Sequence, residues 1–353
     1  MSSASSVVRV ALRILIVAPS WVGDALLSQP LLTILKQRDP RSTIDVLGPG
    51  WALPIFRRMP EVSETIESPF AHGELALRKR LQIGRNVRGR NYDRAYVLPN
   101  SFKSALVPLF ARIPERIGFV GESRYLLLTD ARKLDERALP LMVQRFAYLA
   151  TLRGATVEGV LPNPQLRVES TERDSVMANL GLVSPSRLIC FCPGAEYGPA
   201  KRWPPQYFGE LAAALAAEGN TVWIVGSSRE SAIGEAIRAG SAGVALNLCG
   251  RTTLDQAVVL LSAADMVVTN DSGLMHVAAA LDRPMVALYG SSSPAFTPPL
   301  SARARILKLD VPCSPCFERV CPLGHFDCMM KLMPGRVLTE IHSLAAIHSY
   351  PAT

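Results

Sequence analysis

An aspartate, a serine, a glycine and a histidine lie close together in the segment Asp271-Ser-Gly-Leu-Met-His276. The segment follows an apolar run that predicts a strand and opens a small-residue stretch that predicts a helix from Gly273 to Leu281. The first N–H groups of a helix have no partner within the helix, and the helix dipole adds partial positive charge there. Such an end favours a phosphate, and the neighbouring side chains could hold a sugar beside a diphosphate. An ordinary capped turn is the alternative that this segment alone leaves open.

Two further charged positions follow glycine-containing turns. Asp24 ends the sequence Trp21-Val-Gly-Asp24 at the predicted start of a helix, where it could be a general base or only a helix N-terminal acid. Lys201 and Arg202 end the glycine- and proline-rich segment Pro193-Gly-Ala-Glu-Tyr-Gly-Pro-Ala-Lys-Arg202. Backbone N–H groups and a lysine ammonium both suit phosphate, so the segment predicts phosphate binding, with solvated loop cations as the alternative.

Several familiar phosphate and metal motifs are missing from the sequence. No G-x-G-x-x-G follows a predicted strand, no G-K-[ST] marks a P-loop, and no Asp-x-Asp indicates a metal-bridged diphosphate. The sequence therefore predicts that no cofactor is required and does not imply a divalent metal. A diphosphate would then be neutralised by helix ends and by cations such as Lys201.

Four of the seven cysteines cluster at Cys313, Cys316, Cys321 and Cys328, with His325 among them. A zinc or iron–sulfur site is one interpretation, but the spacing fits neither a paired C-x2-C zinc ribbon nor the known iron–sulfur runs. Reduced thiols in a proline-rich loop are the favoured interpretation, so no metal site is predicted.

The composition is that of a globular protein with an excess of cations. The chain has 353 residues, 48% of them hydrophobic and 19% charged, which indicates about two domains with real cores. The formal net charge of +8 suits an anionic partner, which could be nucleic acid, a phosphorylated substrate or an anionic membrane surface. Nucleic acid is not expected, because no recognised binding module or interleaved basic and aromatic stripe appears.

No apolar stretch reaches the roughly 18 residues that a membrane span requires. The start of the chain, Met1 to Val10, has no cationic region followed by a long apolar core, so no signal peptide is predicted. We therefore expect a cytoplasmic protein with reduced cysteines, whose membrane contact is peripheral.

Apolar, β-branched runs alternate with amphipathic stretches, which predicts an α/β fold with doubly wound parallel sheets. The predicted strands are Arg13–Ala18, Thr43–Leu47, Arg94–Leu98, Ile189–Cys192, Thr221–Val225, Met266–Thr269 and Met285–Tyr289. The predicted helices are Ala25–Lys36, Leu75–Val87, Leu139–Leu152, Thr171–Leu180, Tyr207–Ala217, Ser231–Ala239, Leu254–Ala264 and Arg336–Ile347.

The expected domain boundary is the polar, proline-bearing stretch of residues 161–169, with the loop Ser184-Pro-Ser before the next strand as the alternative. The interpretation is an N-terminal domain of residues 1–168 and a C-terminal domain of residues 169–353, whose last helix could pack back on the first. Each domain begins with a strand that feeds a glycine-containing turn. Ligands lie outside the carboxyl ends of such strands, so these turns and the Asp271 segment are expected to face a cleft.

Cations are frequent in the first half of the chain, and most are expected to lie on solvated faces. They are Arg78, Lys79, Arg80, Arg85, Arg88, Arg90, Lys103, Arg112, Arg116 and Arg124. The segments 100–104 and 114–119 follow strand-like runs and could border the cleft. Asn100, Ser101, Lys103 and Arg124 are therefore candidates to bind a phosphorylated acceptor.

Several blocks of the chain together resemble the ADP-heptose–lipopolysaccharide heptosyltransferases of glycosyltransferase family 9, in particular members that add the second inner-core heptose. The blocks are Ile16-Val-Ala-Pro-Ser-Trp-Val-Gly-Asp-Ala-Leu-Leu-Ser-Gln-Pro30, Asn100-Ser-Phe-Lys-Ser104, Cys192-Pro-Gly-Ala-Glu-Tyr-Gly-Pro-Ala-Lys-Arg-Trp-Pro204, Asn270-Asp-Ser-Gly-Leu-Met-His276 and the late cysteine cluster. They occur in the family's order across nearly the whole chain.

The resemblance implies a GT-B fold, with two Rossmann-like domains, and an inverting transfer. It implies that Asp24 is the catalytic base and that Lys201 contacts the phosphate or sugar hydroxyls of the donor. By the same resemblance, Asp271 holds heptose hydroxyls, while Ser272, Gly273 and His276 hold the diphosphate. The adenine is expected near Gly250–Leu254, with backbone atoms around Thr252 reading it.

The implied partners are ADP-heptose as donor and heptosyl-Kdo2-lipid A as acceptor. Peripheral contact with the anionic inner membrane, at its cytoplasmic face, would follow from such an acceptor. The alternatives are a first- or third-heptose transferase, another GT-B transferase, a sugar-nucleotide 2-epimerase, and a non-catalytic binder of anionic lipid or nucleic acid.

Overall fold

The computed structural model describes residues 11–70, 73–157 and 159–348. The prediction about a signal peptide concerns residues 1–10 and lies outside this range. The chain divides into two compact units, Met1–Ser20 with Ser28–Pro162, and Trp21–Leu27 with Asn163–Thr353. A short segment of the first half thus belongs to the second unit.

The short segment contains helix α1, Val22–Leu27. In the first unit the strands are β1 Arg13–Val17, β2 Thr43–Gly48, β3 Glu64–Glu67, β4 Arg94–Val97, β5 Glu115–Phe119 and β6 Asp130–Arg132. Its helices are α2 Gln29–Arg38, α3 Leu53–Arg57, α4 Leu77–Arg88, α5 Leu106–Phe110 and α6 Met142–Ala150, with a 3-10 turn at Phe102–Ala105.

The first unit is built on one parallel sheet with the order β3-β2-β1-β4-β5-β6. Strand β1 pairs on one side with β2 and on the other with β4, so the strand order reverses beside β1. Ile14 to Val17 of β1 are all buried, as expected for a central strand covered on both faces.

The second unit continues from α1 with thirteen further elements in the described residues. They are α7 Ser170–Asn179, β7 Leu188–Cys192, α8 Pro205–Ala217, β8 Thr221–Ile224, α9 Ser231–Gly240, β9 Leu246–Asn247, α10 Leu254–Ser262, β10 Met266–Asn270, α11 Gly273–Ala280, β11 Met285–Tyr289, β12 Ala304–Lys308, α12 Asp327–Met330 and α13 Pro334–His348. Two 3-10 turns lie at Pro199–Lys201 and Ser228–Glu230.

The second sheet is also parallel, with the order β12-β11-β10-β7-β8-β9. Counted from β7, this is the same order as in the first sheet, 3-2-1-4-5-6, which is the Rossmann arrangement. Strands β7, β10 and β11 are buried along their whole length. The predicted α/β class with two doubly wound Rossmann-like sheets is confirmed.

The last helix, α13, packs against α8, β11 and β12 of the second unit. The predicted division at residues 168 and 169 stays a prediction, because no finding tests its role as a folding boundary. The first compact unit ends at Pro162 and the second resumes at Asn163, six residues before the predicted division.

One predicted helix is wrong in its continuity. The stretch predicted as Ala25–Lys36 forms two helices, α1 and α2, with Ser28 between them. Pro30 lies in the first turn of α2, where its missing N–H costs nothing, but within one continuous helix its ring would clash with the carbonyl of residue 26.

Among the described residues, no helix combines the length and apolar character that crossing a membrane would require. All seven cysteines are free thiols. Cys190 and Cys192 are buried in β7, as their alternation with apolar residues predicts.

Candidate active site

The carboxyl ends of β7 and β10 lie side by side at the point where the order of the second sheet reverses. The pairing of Thr269 with Cys192 brings the ends of the two strands together. The chain after β7 leads to Lys201, and the chain after β10 begins with Asp271. Such a reversal leaves a crevice in doubly wound sheets, because successive helices there lie on opposite faces. The topology therefore explains why residues seventy positions apart in sequence meet.

The half-buried Lys201 and the buried Asp271 form an ion pair in this crevice. The ammonium of Lys201 donates to Asp271 Oδ2 at 2.6 Å, and the hydroxyl of Ser292 donates to the same oxygen at 2.5 Å. Asp271 is only 4% exposed. The ammonium also lies 5.1 Å from the ring centre of Tyr197, within cation–π range. The arrangement balances a buried carboxylate and leaves further donors on the ammonium for a ligand.

Sequence reasoning missed Ser292 as part of this site. Ser292 is the third residue after β11, reached through Gly290 and Ser291, and Asp271 is the first residue after β10. Because β11 pairs with β10 in parallel, the two strand ends share one edge of the sheet. That adjacency was the signal that could have identified Ser292.

Asn270 anchors the loop that carries Lys201. Its amide donates to the carbonyl of Pro193 at 2.7 Å and accepts from the N–H of Trp203 at 3.1 Å. The indole of Trp203 is buried and donates to the carbonyl of Leu332 at 2.7 Å. Both ends of the loop are thereby fixed, so the ammonium of Lys201 is held by a prepared scaffold.

Helix α11 begins directly after Asp271 with an uncapped turn. Ser272 is the N-cap residue, with extended backbone at φ −150°, and its side chain makes no capping hydrogen bond. The next residue, Gly273, carries no side chain over the N–H groups of the first turn. These groups and the helix dipole are therefore available to an anion such as a diphosphate.

Helix α1 packs against α11 and carries Asp24. A Cβ atom on Gly273 would lie 3.0 Å from Val22 Cβ, so glycine is needed for this close approach. Burial raises the pKa of Asp24 to about 6. A carboxylate with this proton affinity is ionised at neutral pH and accepts a proton more readily than an ordinary aspartate, as a general base requires.

His276 lies one turn into α11 and is 6% exposed. Burial lowers its pKa to about 4, the charge of Asp271 opposes this shift, and the charge of Lys201 adds to it. The imidazole is therefore neutral at pH 7. Its predicted contact with a diphosphate could only be that of an uncharged donor.

Thr252 lies at the other end of the expected donor site, in the loop before α10. Its hydroxyl oxygen is buried and has no hydrogen-bond partner within the described structure. The loop turns at Gly250, whose φ of +78° and approach to Ser228 leave no room for a side chain. A buried hydroxyl without a partner costs free energy, so a hydrogen bond from a ligand to Thr252 would be favourable.

The first unit places three of the predicted acceptor residues on an accessible loop after β4. Asn100 is exposed, while Ser101 and Lys103 are partly exposed. The carbonyl of Lys103 accepts a hydrogen bond from the buried guanidinium of Arg80 at 3.0 Å, which fixes the backbone there. The side chains of these three residues lie at the surface of the unit.

Arg124, the fourth predicted acceptor residue, is fully buried. Its guanidinium donates to the carbonyls of Phe119 at 2.7 Å and Pro99 at 2.5 Å, to Ser104 Oγ at 2.9 Å and to Asn100 Oδ1 at 3.3 Å. Burial lowers its pKa to about 10, so the group stays charged. Its donors are committed to the loop, and direct contact with an acceptor stays a prediction.

Comparison with known proteins decides the family. Residues 80–327 match the profile of glycosyltransferase family 9 (heptosyltransferase). The chain belongs to this family. Lipopolysaccharide heptosyltransferase 2 of Salmonella typhimurium is 48% identical over 342 residues, which are 94% of this chain and 98% of that protein. The Escherichia coli K12 protein of the same name is 48% identical over 94% of this chain and 98% of its own length.

A solved structure of E. coli ADP-heptose lipopolysaccharide heptosyltransferase II is similar throughout. It is 46% identical, with a TM-score of 0.87, and the match covers 96% of this chain and 100% of that chain. The resemblance based on sequence blocks is thereby confirmed, and so is the GT-B class of its two Rossmann-like sheets. This family 9 protein is a glycosyltransferase. The roles of individual residues stay predictions.

The cysteine cluster of this glycosyltransferase lines one small cavity in the second unit. Cys313, Cys316, Cys321 and Cys328 contribute to its wall, together with His325. Within the described residues, no group of three or more cysteine, histidine or acidic side chains is arranged to hold a metal ion. Ala200 also lines the cavity, so the cluster lies beside the loop that carries Lys201.

Proposed function

We propose that this protein is an inverting lipopolysaccharide heptosyltransferase. It transfers L-glycero-D-manno-heptose from ADP-heptose to the first heptose of the Kdo2-lipid A inner core. The observation that carries the proposal is the ion pair of Lys201 and Asp271 beside the uncapped start of α11, in a chain that is 48% identical over its length to heptosyltransferase 2 proteins. The pair offers a cation for the diphosphate and a carboxylate for the sugar hydroxyls of such a donor.

The donor site follows from the chemistry of each group. The ammonium of Lys201 and the first N–H groups of α11, with Ser272 and Gly273, bind the diphosphate. Asp271 accepts hydrogen bonds from heptose hydroxyls, as a buried carboxylate with free lone pairs can. The orphaned hydroxyl of Thr252 supports placing the adenosine end near Gly250–Leu254. Helix N–H groups and Lys201 neutralise the diphosphate, so no cofactor or divalent metal is part of the proposal.

Transfer with inversion is a single displacement at the anomeric carbon. Asp24 takes the proton of the acceptor hydroxyl, the acceptor oxygen bonds to the anomeric carbon, and the bond from that carbon to the diphosphate breaks. The departing ADP gains negative charge, which the fixed N–H groups of α11 and the ammonium of Lys201 stabilise without reorganisation. The raised pKa of Asp24, about 6, matches the base to neutral pH.

The acceptor is proposed to bind through the first unit. Asn100, Ser101 and Lys103 present polar groups after β4, and the exposed cations Arg78 and Arg85 of α4 suit an anionic lipid. Attraction between exposed charges is screened by salt, so acceptor binding should weaken as ionic strength rises. We place the enzyme in the cytoplasm, in peripheral contact with the anionic inner membrane.

The proposed function is tested by ADP release from ADP-heptose with two acceptors, Kdo2-lipid A with and without its first heptose. Turnover only with the heptosylated acceptor is the expected result. Turnover only with the bare Kdo acceptor would make this the first-heptose enzyme. If neither acceptor led to ADP release, ADP-heptose would not be the donor or the protein would not transfer heptose. Product analysis of nucleotide sugars would then test for a 2-epimerase.

A further inference from the structure

The imidazole of His276 lies directly against the residue that precedes Asp24. A Cβ atom added to Gly23 would be 3.0 Å from His276 Cδ2 and 3.5 Å from Nε2. Carbon atoms in favourable contact are about 3.5–4.0 Å apart, so a methyl group on Gly23 would force the ring or the first turn of α1 to shift by a few tenths of an ångström. The ring and Gly23 therefore form a contact that fixes where the first turn of α1 lies.

The same helix pair has a second close approach in which the roles are reversed. Here the glycine is on α11, and a Cβ on Gly273 would lie 3.0 Å from Val22 Cβ and 3.2 Å from its Cγ1. Two glycines, one on each helix, thus let the starts of α1 and α11 approach closely. Because interiors are close-packed, this seam transmits small displacements from one helix to the other.

His276 also lies close to the ion pair of Lys201 and Asp271. Its ring is buried near the charges of Asp271 and Lys201, which act on its protonation in opposite directions. With a pKa near 4, the ring is uncharged at neutral pH and can pack against backbone without a counterion. One side chain therefore touches the turn that carries the base and lies within the electrostatic reach of the pair proposed to hold the donor.

We propose that His276 is a positioning residue for Asp24, which it holds in place through its contact with Gly23. The inference rests on the proposed function, because it assumes that Asp24 is the base. His276 thereby has a different proposed role from Ser272 and Gly273, which are proposed to bind the diphosphate. Displacement of a catalytic group by about 1 Å costs on the order of 100-fold in rate, so a contact of this kind matters for turnover.

The test compares two glycine-to-alanine variants. Gly23 and Gly335 are each the second residue of a helix, α1 and α13, but a Cβ on Gly335 meets no atom within 4 Å. For Gly23→Ala we expect kcat to fall on the order of tenfold, because the shift is smaller than the displacement of about 1 Å that costs on the order of 100-fold. The affinity for ADP, measured by calorimetry, should stay within about twofold, because the groups that bind the diphosphate are unchanged. Gly335→Ala should leave both quantities unchanged. Retained ADP affinity also shows that the second unit of the Gly23 variant is folded.

A double variant tests whether His276 is the partner in this contact. His276→Ala alone should lower kcat on the order of tenfold or more with little change in ADP affinity, because the turn of α1 loses its support. In Gly23→Ala with His276→Ala, the new methyl group occupies space that the ring has vacated. The double variant should therefore lose less than the product of the two single losses, which is the signature of direct coupling.

Three results would overturn the positioning role. The first is a normal kcat in Gly23→Ala, the second is loss factors that simply multiply in the double variant, and the third is a His276→Ala enzyme that loses ADP affinity while keeping its kcat. The last result would make His276 a donor ligand. A wild-type enzyme that releases no ADP from ADP-heptose would overturn the proposed function and the positioning role together, whereas the other results concern the positioning role alone.

Discussion

Each unit holds a cation that contacts residues at the carboxyl edge of its sheet, the fully buried Arg124 in the first and the half-buried Lys201 in the second, but the partners of the two cations differ. In the first unit, Arg124 is surrounded by backbone carbonyls and by the polar side chains of Ser104 and Asn100. In the second unit, Lys201 pairs with the carboxylate of Asp271. The planar guanidinium uses its fixed fork of donors to shape a loop, while the lysine has one strong partner and donors to spare.

Arg124 follows β5 and Lys201 follows β7, and each contacts residues that lie just after the end of a parallel strand. A cation at this edge of a sheet can be committed to the protein or can keep donors free for a ligand. What separates them is how many of their donors the protein itself already uses. An arginine whose donors are satisfied internally supports the loop, and a lysine with free donors can meet a substrate.

The largest expected effect is on the chemical step in the second unit. Asp24→Asn should lower kcat by roughly 1000-fold, because general base catalysis contributes on the order of 100- to 10,000-fold and the amide cannot accept the proton. Its affinity for ADP should stay close to that of the wild type, as measured by calorimetry. An Asp24→Asn enzyme with wild-type turnover would remove Asp24 as the base.

A smaller effect is expected when the ligand-facing cation is removed. Lys201→Met should weaken ADP binding by about 100-fold, which corresponds to about 2.7 kcal/mol, because a charge-assisted contact with the diphosphate is lost. Asp271→Asn is the matched control, since it keeps the ammonium and a polar partner, and its ADP affinity should change much less. Equal ADP affinity in Lys201→Met and wild type would show that Lys201 does not touch the donor.

The pH dependence of turnover tests the same region without a mutation. Asp24 must be deprotonated to act as a base, and burial raises its pKa to about 6, so activity should fall as the pH drops through that value. At pH 5 the ionised fraction would be about one tenth, which gives about tenfold lower kcat/KM than on the plateau. A profile that stays flat down to pH 4.5 would contradict the buried carboxylate as the base.

The smallest effect on ADP binding is expected when Arg124, the cation that supports the loop after β4, is changed. Arg124→Lys removes donors from several buried carbonyls and should destabilise the protein by roughly 1–3 kcal/mol, which thermal unfolding would detect. ADP affinity should not change, whereas the KM for the acceptor should rise because the loop at Asn100 loses its support. If Arg124→Lys impaired ADP binding as strongly as Lys201→Met, the distinction between the two cations would fail.

The sequence predicts the interior of the fold better than its borders. The seven predicted strands match β1, β2, β4, β7, β8, β10 and β11 to within a residue or two, because central parallel strands are continuously apolar. The four sheet edges, β3, β6, β9 and β12, were missed. Edge strands are short and carry charges, as in Glu64–Glu67 and Asp130–Arg132, so they lack the apolar signature. Strand β5 was missed for a similar reason, since it opens with Glu115 and Arg116.

The candidate site shows a similar division between local and long-range information. Local sequence predicted that the segments around Asp24, Lys201 and Asp271 carry chemistry, because each follows a predicted strand and contains a glycine. It did not identify Ser292 as a partner of Asp271, or Arg124 as a residue whose donors all bind within its own unit. These facts depend on contacts between residues 20 or more positions apart.

The placement of Trp21–Leu27 in the second unit has a consequence for how this enzyme can be taken apart. A polypeptide that starts after Pro162 would lack Asp24, the proposed base, and would leave Gly273 of α11 without its neighbours Val22 and Gly23. The two units are therefore not exchangeable as contiguous modules. A chimera that takes the C-terminal half from a relative must also take this seven-residue segment, or the grafted half will lack the helix that packs against its own α11.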